Sequence, residues 1–377
     1  MVYSGHGSRR YRVKIALILP PREMFSPAAT GAVGLLVRLL ARGDADATVY
    51  GMPVAEPFAD VRFCAVAPRL LPLRQAMRYA AGLVRALRAD PPEMIEVHNR
   101  PDIALCLADR FPRIPVVLFL HNDPQGMNGA RTAAERGRLL RVLAAVAPVS
   151  AYLRGRLLEG VEQAPDVAVF ANFVDLAAMP QAVPETLILF AGRVVADKGA
   201  DSFVAACALA LPKLPGWRAE MIGADRFGAN SPETPFLQGL RPRAAAAGVA
   251  MLGWKPHAQV LQAMARAAIV VVPSRWPEPF GLTALEAMGC GAALVCAPRG
   301  GLVEVMGDAA VPVDPDNPVD IAARICELAG DAGRREAVAR ACLARAEGFG
   351  LPAARARLAA MRDSVLARWS ARLGRTI

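Results

Sequence analysis

The sequence predicts an α/β protein built from two doubly wound parallel sheets. Short runs of Val, Ile and Leu alternate with segments of helical periodicity in both halves of the chain. Alternation at this spacing is typical of doubly wound parallel sheets. The alternation stops between Asp175 and Glu185, where two prolines interrupt it, so we expect an interdomain linker there. A chain of 377 residues can hold two domains of ordinary size.

The N-terminal domain is predicted to span residues 11–178, after a disordered start at residues 1–10 that is rich in Gly, Ser and Arg. Residues 11–20 have a charged front and an apolar run, but no small-residue cleavage site follows, so they predict a first buried strand. The predicted strands are 13–19, 47–50, 61–66, 94–97, 116–120 and 167–170. The predicted helices are 31–42, 73–88, 102–110, 131–147 and 151–158.

The C-terminal domain is predicted to span residues 185–350 and repeats the same alternation. Its predicted strands are 187–191, 219–222, 249–251, 269–272, 293–296 and 310–313. Its predicted helices are 200–211, 233–247, 257–267, 281–288, 302–305, 318–328 and 331–347, and a long basic helix follows at 352–373.

Two glutamates, Glu278 and Glu286, bracket the most informative segment of the chain. The β-branched run 269–274 before them predicts a buried strand, and residues 281–288 behind predict a helix. A strand followed by a loop and a helix start aims backbone N–H groups and the positive end of a helix dipole at an anion. Since carboxylates accept hydrogen bonds from hydroxyls, a ligand that is anionic in the middle and hydroxylated at both ends would fit. A nucleotide diphosphate-sugar is such a ligand; the alternative is a surface helix cap with two solvated acids.

A second segment points to the same ligand. Residues 186–191 predict a strand that ends in Gly192 and Arg193, and Lys198 follows before the next predicted helix. A glycine lets backbone approach a phosphate closely, and an arginine with a lysine can neutralise a diphosphate. The alternative is a strand-end loop with two solvated cations.

These segments resemble the signature of the family 4 retaining glycosyltransferases (glycosyl transferases group 1) of the bacterial envelope polysaccharide and lipopolysaccharide type. The resemblance rests on Val-Pro-Ser-Arg-Trp-Pro-Glu-Pro-Phe-Gly-Leu at 272–282, on Glu-Ala-Met-Gly-Cys-Gly at 286–291, and on the Gly-Arg and Lys-Gly pairs. It implies the GT-B fold, in which two Rossmann-like domains face a cleft. It further implies that the N-terminal domain lies on the acceptor side, the C-terminal domain binds the nucleotide-sugar, and residues 351–377 pack back on the N-terminal domain.

The resemblance also implies roles for individual residues. Arg193 and Lys198 would stabilise the departing nucleoside diphosphate, Glu278 would contact hydroxyls of the donor sugar, and Glu286 would hold the ribose. Further donor contacts are implied for a set of glycines, loop residues and one tryptophan: Gly192, Phe280, Gly281, Leu282, Thr283, Gly253 and Trp254.

Two neighbouring strands predicted in the N-terminal half end in histidines, His98 and His121. Doubly wound folds bind ligands at the carboxyl ends of their strands. The resemblance implies that His121 contacts the transferred sugar, and we interpret His98, Asn99 and Arg100 as shaping the acceptor side.

Gly31 belongs to a Thr-Gly-Ala-Val-Gly loop, where many relatives carry Gly-Gly. It would let backbone amides approach the donor phosphate or the acceptor. His257 stands outside these contexts, and we interpret it as a bystander.

Composition narrows the class of protein. The net charge of +10 suggests an acidic partner, but the arginines are dispersed and aromatic residues are only 6%, so we expect no nucleic-acid partner. Residues 70–90 carry arginines at near-helical spacing and could rest on anionic lipid headgroups; an ordinary solvated basic helix is the alternative.

Seven scattered cysteines without a Cys-x-x-Cys pair indicate neither a disulfide framework nor a zinc site. We expect a cytoplasmic protein, with peripheral contact to the inner face of the cell membrane left open.

The resulting hypothesis is a retaining, metal-independent hexosyltransferase that uses a UDP- or GDP-sugar and needs no cofactor. The acceptor would be a glycan or glycolipid of bacterial polysaccharide or lipopolysaccharide synthesis. Two alternatives stay open: a nucleotide-sugar 2-epimerase of the same fold, and a non-catalytic basic protein that binds nucleic acid.

Overall fold

A computed structural model describes residues 13–70, 74–225 and 233–374. The expected disordered start, residues 1–10, lies outside the described residues. Two parallel sheets of six strands each form the centre of the molecule, and helices cover them. The α/β class and the two doubly wound sheets predicted from the sequence are therefore confirmed.

The first sheet contains the strands of the N-terminal half: β1 (Ile15–Ile18), β2 (Ala47–Gly51), β3 (Phe63–Ala65), β4 (Met94–His98), β5 (Val116–Leu120) and β6 (Ala145–Pro148). They lie in the order β3-β2-β1-β4-β5-β6. Its helices are α1 (Ala32–Ala41), α2 (Gln75–Ala89), α3 (Pro101–Arg110), α4 (Ala133–Val142) and α5 (Ala151–Leu158). This is the strand order of the dinucleotide-binding Rossmann fold, in which the carboxyl ends of the strands meet the ligand.

The sixth strand of this sheet was predicted wrongly. The predicted helix 131–147 ends at Val142, and Ala145–Pro148 continues as a strand that pairs with β5. The predicted strand 167–170 is an extended segment that buries Val167 and Phe170 without joining the sheet. Alanine is the strongest helix former and is depleted in strands, so the Ala-Ala-Val-Ala-Pro sequence gives no local signal of the change to a strand.

The second sheet contains β7 (Glu185–Ala191), β8 (Arg218–Ile222), β9 (Val249–Gly253), β10 (Ala267–Val272), β11 (Ala293–Cys296) and β12 (Val311–Pro312). Their order, β12-β11-β10-β7-β8-β9, repeats the topology of the first sheet. The helices are α6 (Ala200–Ala210), α7 (Pro235–Ala246), α8 (His257–Arg266), α9 (Leu282–Gly289), α10 (Leu302–Met306), α11 (Pro318–Gly330), α12 (Ala332–Glu347) and α13 (Leu351–Arg372).

The central strands are buried along their whole length, which explains their continuous apolar runs. Every residue of β4, β5 and β10 is buried. Helices cover both faces of a parallel sheet, so the side chains on either face of these strands are shielded from water.

The last helix, α13, lies against the first sheet. The Arg362 guanidinium donates to both carboxylate oxygens of Glu96 on β4, at 2.6 and 2.9 Å. Leu358 and Val365 of the same helix pack in the core of that sheet. The chain thus returns to the N-terminal half after completing the second sheet.

The chain passes between its two halves twice, near Val174 and near Gly350, and the two passages lie next to each other. Val174 precedes the proline-rich segment 175–185, and its N–H donates to the Phe349 carbonyl while its own carbonyl accepts from Leu351 N–H. Both crossings therefore pass through one isolated β-bridge, between Val174 and Gly350.

The basic helix expected at residues 73–88 is α2. Its apolar positions Tyr79, Leu83 and Leu87 are fully buried in the core of the first sheet. Only the cationic side of the helix therefore remains for solvent or headgroups. Within the described residues, none of the helices combines the length and apolar character needed to cross a membrane.

Candidate active site

A cavity of about 360 Å³ lies between the carboxyl ends of the two sheets. Its N-terminal wall consists of Ala32, Val33, Leu36, His121, Asn122 and Asn172. Its C-terminal wall consists of Phe190, Ala191, Gly192, Arg193, Lys198, Val272, Ser274, Glu278, Pro279, Phe280, Gly281, Leu282, Thr283 and Leu302. Residues predicted from separate motifs thus share one cavity.

The loop after β7 carries the two cations of the C-terminal wall. Gly192 and Arg193 follow the strand, and Lys198 ends a short 3₁₀ turn. Gly199 then adopts φ +68°, and a Cβ there would overlap the carbonyl oxygen of Pro273. The absence of a side chain lets this loop touch the end of β10, which brings Lys198 to the segment that carries Glu278.

Glu278 is held in place before any ligand arrives. One of its carboxylate oxygens, Oε1, forms an ion pair with Lys198 Nζ and accepts a hydrogen bond from Ser274 Oγ at 2.8 Å. Its carbonyl accepts from Gly301 N–H at 2.7 Å. The residue is 9% exposed, so its orientation is set by neighbours rather than by solvent.

Arg275 joins the two loops of the C-terminal wall and was not predicted as a site residue. Its guanidinium donates to Asp201 at 2.7 and 3.1 Å, to the Ala196 carbonyl at 2.8 Å and to Asp316 at 2.7 Å. Its pKa is raised because Asp201 and Asp316 hydrogen-bond it, although burial acts in the opposite direction. Arg275 therefore fixes the turn that carries Lys198 against the segment that carries Glu278.

The start of α9 faces the same cavity. Gly281 precedes the helix with φ +106°, and a Cβ there would overlap the Leu302 side chain. No side chain of the described residues caps this end, and its first turn has no acidic residue. The N–H groups of its first turn, at Leu282 and Thr283, therefore remain available to an anion.

A second cavity of about 460 Å³ adjoins the first and shares Ala32, Leu36, Leu282 and Thr283 with it. Glu286, Trp254 and His257 line it. Gly253, in contrast, ends β9 and lines neither cavity. The two cavities form one cleft with Glu278 in the first part and Glu286 in the second.

His257, interpreted above as a bystander, contacts Glu286 instead. Its Nε2 lies 2.7 Å from Glu286 Oε1. Burial acts to lower the pKa of His257, but the hydrogen bond and the charge of Glu286 outweigh it and raise that pKa above 6.5. The sequence carries no signal for this pair, because the two residues lie 29 positions apart on different helices.

The N-terminal wall presents a neutral histidine. His121 Nε2 lies 3.0 Å from His98 Nδ1, and the Asn99 side-chain oxygen accepts from the N–H groups of His121 and Asn122. Burial lowers the pKa of His121 to about 4. Burial, with the positive charge of Arg362 acting in the same direction, holds the pKa of His98 well below 6.5. His121 Nδ1 is shielded and has no hydrogen-bond partner among the described residues, so it is a polar atom left for a ligand.

The acceptor-side residues are not brought into the cleft. His98 is 1% exposed, stacks on Phe119 and lines neither cavity. Arg100 forms an ion pair with Asp102 at the start of α3 and also lines neither cavity. Asn99, at φ +59°, accepts a hydrogen bond from the His121 N–H and so helps to position that residue.

Gly31 lines the second cavity, but its N–H donates to the protein itself. The Oε1 atom of Glu23 accepts from Gly31 N–H at 2.6 Å and from Gly34 N–H at 3.1 Å. Glu23 was not predicted as a site residue, since nothing in its local sequence points to the helix start it contacts.

Two family models match consecutive parts of the chain. Residues 31–178 match Glycosyltransferase Family 4, and residues 178–352 match Glycosyl transferases group 1. The two matches meet at the linker between the sheets.

Relatives and solved structures agree with these matches. A D-inositol 3-phosphate glycosyltransferase of Segniliparus rotundus is 35% identical over 171 residues, covering 44% of this chain and 37% of its own length. A glycogen synthase of Mycobacterium tuberculosis is 27% identical over 279 residues, covering 67% of this chain and 64% of its own length. The crystal structure of Anabaena Alr3699/HepE in complex with UDP superposes with a TM-score of 0.77 at 19% identity, covering 93% of this chain and 100% of that one.

Each curated relative is thus matched over less than two thirds of its length, whereas the structural match extends over nearly the whole fold. The two glycosyltransferase family models together match residues 31–352, and the structural match shows that the chain has the GT-B fold.

Proposed function

We propose that this protein transfers a hexose from a nucleoside diphosphate sugar, UDP- or GDP-linked, to a glycan or glycolipid acceptor with retention of the α-configuration. The proposal includes no metal and no cofactor. The acceptor we propose belongs to bacterial polysaccharide or lipopolysaccharide synthesis.

One observation carries the proposal: the order of chemical groups along the cleft follows the order of groups along such a donor. Glu278, at the sugar end, can accept hydrogen bonds from hydroxyls. Arg193, Lys198 and the open N-terminus of α9 supply positive charge next to it. Glu286 stands beyond the shared residues, where a ribose hydroxyl would reach it.

The proposed step breaks the bond between the anomeric carbon and the phosphate oxygen, and the electron pair leaves with the diphosphate. Arg193, Lys198 and the start of α9 stabilise the charge that develops there, and each such donor typically contributes roughly 10²–10³ in rate. The acceptor oxygen attacks from the face that the diphosphate leaves, and its proton passes to a phosphate oxygen of the donor. Glu278 acts as a hydroxyl ligand and not as a nucleophile.

His121 fits the role of a neutral hydrogen-bonding group for the transferred sugar. With a pKa of about 4 it carries no charge at neutral pH. Its Nδ1 has no partner among the described residues and would gain one from a sugar hydroxyl. Placing an uncharged group beside the sugar leaves the positive charge concentrated at the diphosphate.

Support for the donor class comes from the solved structures of similar fold. Anabaena Alr3699/HepE was crystallised with UDP, with UDP and glucose, and with UDP-glucose. UDP and UDP-glucose are therefore the first compounds to test. The acceptor is proposed on the earlier resemblance and on the net charge of +10, which suits a cytoplasmic protein that approaches an anionic membrane surface.

The first experiment measures binding of UDP, GDP and ADP and of their sugars by isothermal titration calorimetry. We expect one of the three nucleoside diphosphates to bind to wild type and to bind weakly to Glu286→Ala. Glu347→Ala is the matched control, because this acid lies at the exposed end of α12. If none of the three binds, the proposal is wrong.

The second experiment follows the sugar by NMR, with a glycan or glycolipid acceptor and without one. Transfer with an α-linked product is expected only when an acceptor is present. Conversion of the donor sugar by the protein alone would instead identify a 2-epimerase.

A further inference from the structure

Glu23, on the segment between β1 and α1, places a carboxylate on the N-terminus of α1. Its Oε1 accepts from Gly31 N–H at 2.6 Å, from Gly34 N–H at 3.1 Å and from Thr30 Oγ1 at 3.3 Å. Gly31 is the residue before the helix, and as a glycine it has no side chain that could cap this end. Amide groups that would otherwise be open to an anion therefore already hold one that belongs to the chain.

The two glycines of this loop make room for that carboxylate. A Cβ at Gly31 would lie 2.9 Å from Glu23 Oε1, and a Cβ at Gly34 would lie 2.7 Å from it. A side chain at Gly31 would have to displace the Glu23 carboxylate, and one at Gly34 would overlap the Thr30 hydroxyl as well as that carboxylate. Gly31, which the sequence suggested for ligand contact, makes an internal contact with Glu23 in this structure.

The start of α1 lies at the junction of the two cavities. Gly31 lines the second cavity, and Ala32 lines both. Leu282 and Thr283, at the start of α9, also line both cavities from the C-terminal wall. Two helix N-termini thus contribute to one junction, but α9 has no capping side chain among the described residues whereas α1 carries a carboxylate.

We infer that Glu23 is a specificity-determining residue that closes the N-terminal wall to phosphate groups. This inference rests on the proposed function. The donor diphosphate is held by the C-terminal wall alone, and the acceptor meets the N-terminal wall through hydroxyl groups and not through a phosphate. In this respect the acceptor differs in class from D-inositol 3-phosphate, which the name of one relative specifies.

A phosphate would be excluded for two reasons: the negative charge of Glu23 repels it, and the amide groups that could bind it already donate to Glu23. Burial raises the pKa of Glu23 above its ordinary value, although the hydrogen bonds from Gly31, Gly34 and Thr30 act to lower it. In each of these bonds the carboxyl group accepts, as an ionised carboxylate does. A phosphate at this place would face a like charge and would find the two amide groups already used.

The test compares Glu23→Gln, Glu23→Ala and Glu56→Gln. Glutamine keeps an acceptor oxygen for both amides and removes the charge, while alanine also frees the amides. Glu56 is an exposed acid of the same half of the chain and serves as the matched control. Melting temperatures and nucleoside affinities establish that each variant is folded.

Two binding ratios separate the two sources of phosphate. For the donor, the affinity for UDP is divided by that for uridine, and the affinity for GDP by that for guanosine. For the acceptor, the affinity of the nucleotide-loaded protein for D-inositol 3-phosphate is divided by that for inositol. We expect wild type to show no preference for the phosphorylated inositol, and at least one ratio to rise by roughly threefold or more in Glu23→Gln and further in Glu23→Ala.

A rise of the nucleotide ratio alone would assign the exclusion to the donor side, and a rise of the inositol ratio alone to the acceptor side. Both ratios unchanged in the two Glu23 variants, or a wild-type preference for the phosphorylated inositol, would overturn the inference while leaving the proposed function intact. Absence of nucleoside diphosphate binding to wild type would overturn the proposed function, and the inference with it.

Discussion

The two walls of the cleft stand on sheets of the same strand order, yet they offer different chemistry. The C-terminal wall carries opposite charges in contact, Lys198 with Glu278, and an open helix N-terminus. The N-terminal wall carries the neutral histidine His121 and a helix N-terminus that Glu23 covers.

The difference shows how one topology serves two tasks. Both sheets expose the carboxyl ends of their strands, but the loops decide what is found there. Loops of the second sheet concentrate groups suited to an anion, and loops of the first present uncharged hydrogen-bonding groups. The comparison predicts that charge changes on the C-terminal wall lower the rate of transfer. Changes on the N-terminal wall should instead alter the pH dependence of stability and the choice of substrate.

The largest expected effect is that of Lys198→Ala. Loss of the cation next to the diphosphate should lower kcat by roughly 10²–10³, with a small change in nucleotide affinity. Steady-state kinetics with the donor identified by calorimetry, together with titration of the nucleoside diphosphate, separate the two quantities. Lys213→Ala, an exposed lysine of the same domain, should behave as wild type. An unchanged kcat in Lys198→Ala would contradict the assignment of the groups that stabilise the leaving diphosphate to the C-terminal wall.

The next effect is a difference in pH dependence between the histidines of the two walls. His121 has a folded-state pKa of about 4 against 6.5 when unfolded, so the unfolded chain binds the proton more tightly between these values. The free energy of unfolding of wild type should fall on acidification from pH 6.5 to 4, with a contribution from His121 on the order of 2 kcal/mol. His121→Asn should reduce this fall, as measured by urea denaturation at several pH values.

His257 should show the opposite sign. Its pKa is raised, so its stabilising contribution is fully present below pH 6.5 and is lost as the pH rises through the folded-state pKa. His257→Asn should therefore lower stability mainly at acidic pH. The same sign of change in both histidine variants would contradict the assigned environments.

Glu286→Ala should weaken nucleoside diphosphate binding by roughly 10- to 150-fold, because a charged hydrogen-bond acceptor contributes roughly 1.5–3 kcal/mol. Its partner variant His257→Gln, which removes the competing contact, should leave the affinity within about threefold of wild type. Calorimetric titration with the diphosphate that binds to wild type tests both variants. Equal affinities of Glu286→Ala and wild type would exclude Glu286 from the nucleotide site.

The smallest effect concerns a contact that joins the walls away from the cavity. Glu304, on α10, accepts from Ala151 N–H at 2.7 Å and from Tyr152 N–H at 2.9 Å, at the start of α5 in the other domain. Glu304→Gln should lower the free energy of unfolding by about 0.3–1 kcal/mol, because a carboxylate at a helix N-terminus loses its charge. Thermal denaturation at low and high salt tests this, and the difference from wild type should shrink at high salt.

Much of the fold could be predicted because its signals are local. Each signal occupies only a few consecutive positions, as in the apolar runs of β5 and β10 and in the turns around Gly192 and Gly281. The main error, β6, arose in an alanine-rich segment whose residues locally favour a helix over a strand. There pairing with β5 outweighed the local preference.

Local sequence was enough to predict the two sheets and the segments that meet at the first cavity, since the glycines, cations and carboxylate at strand ends are recognised within single loops. The groups that hold those residues in place became known only from the packing of the folded chain. Arg275 reaches Asp201 across 74 positions, and His257 reaches Glu286 across 29. Such contacts depend on how separate elements are placed in space, which no local pattern of residues records.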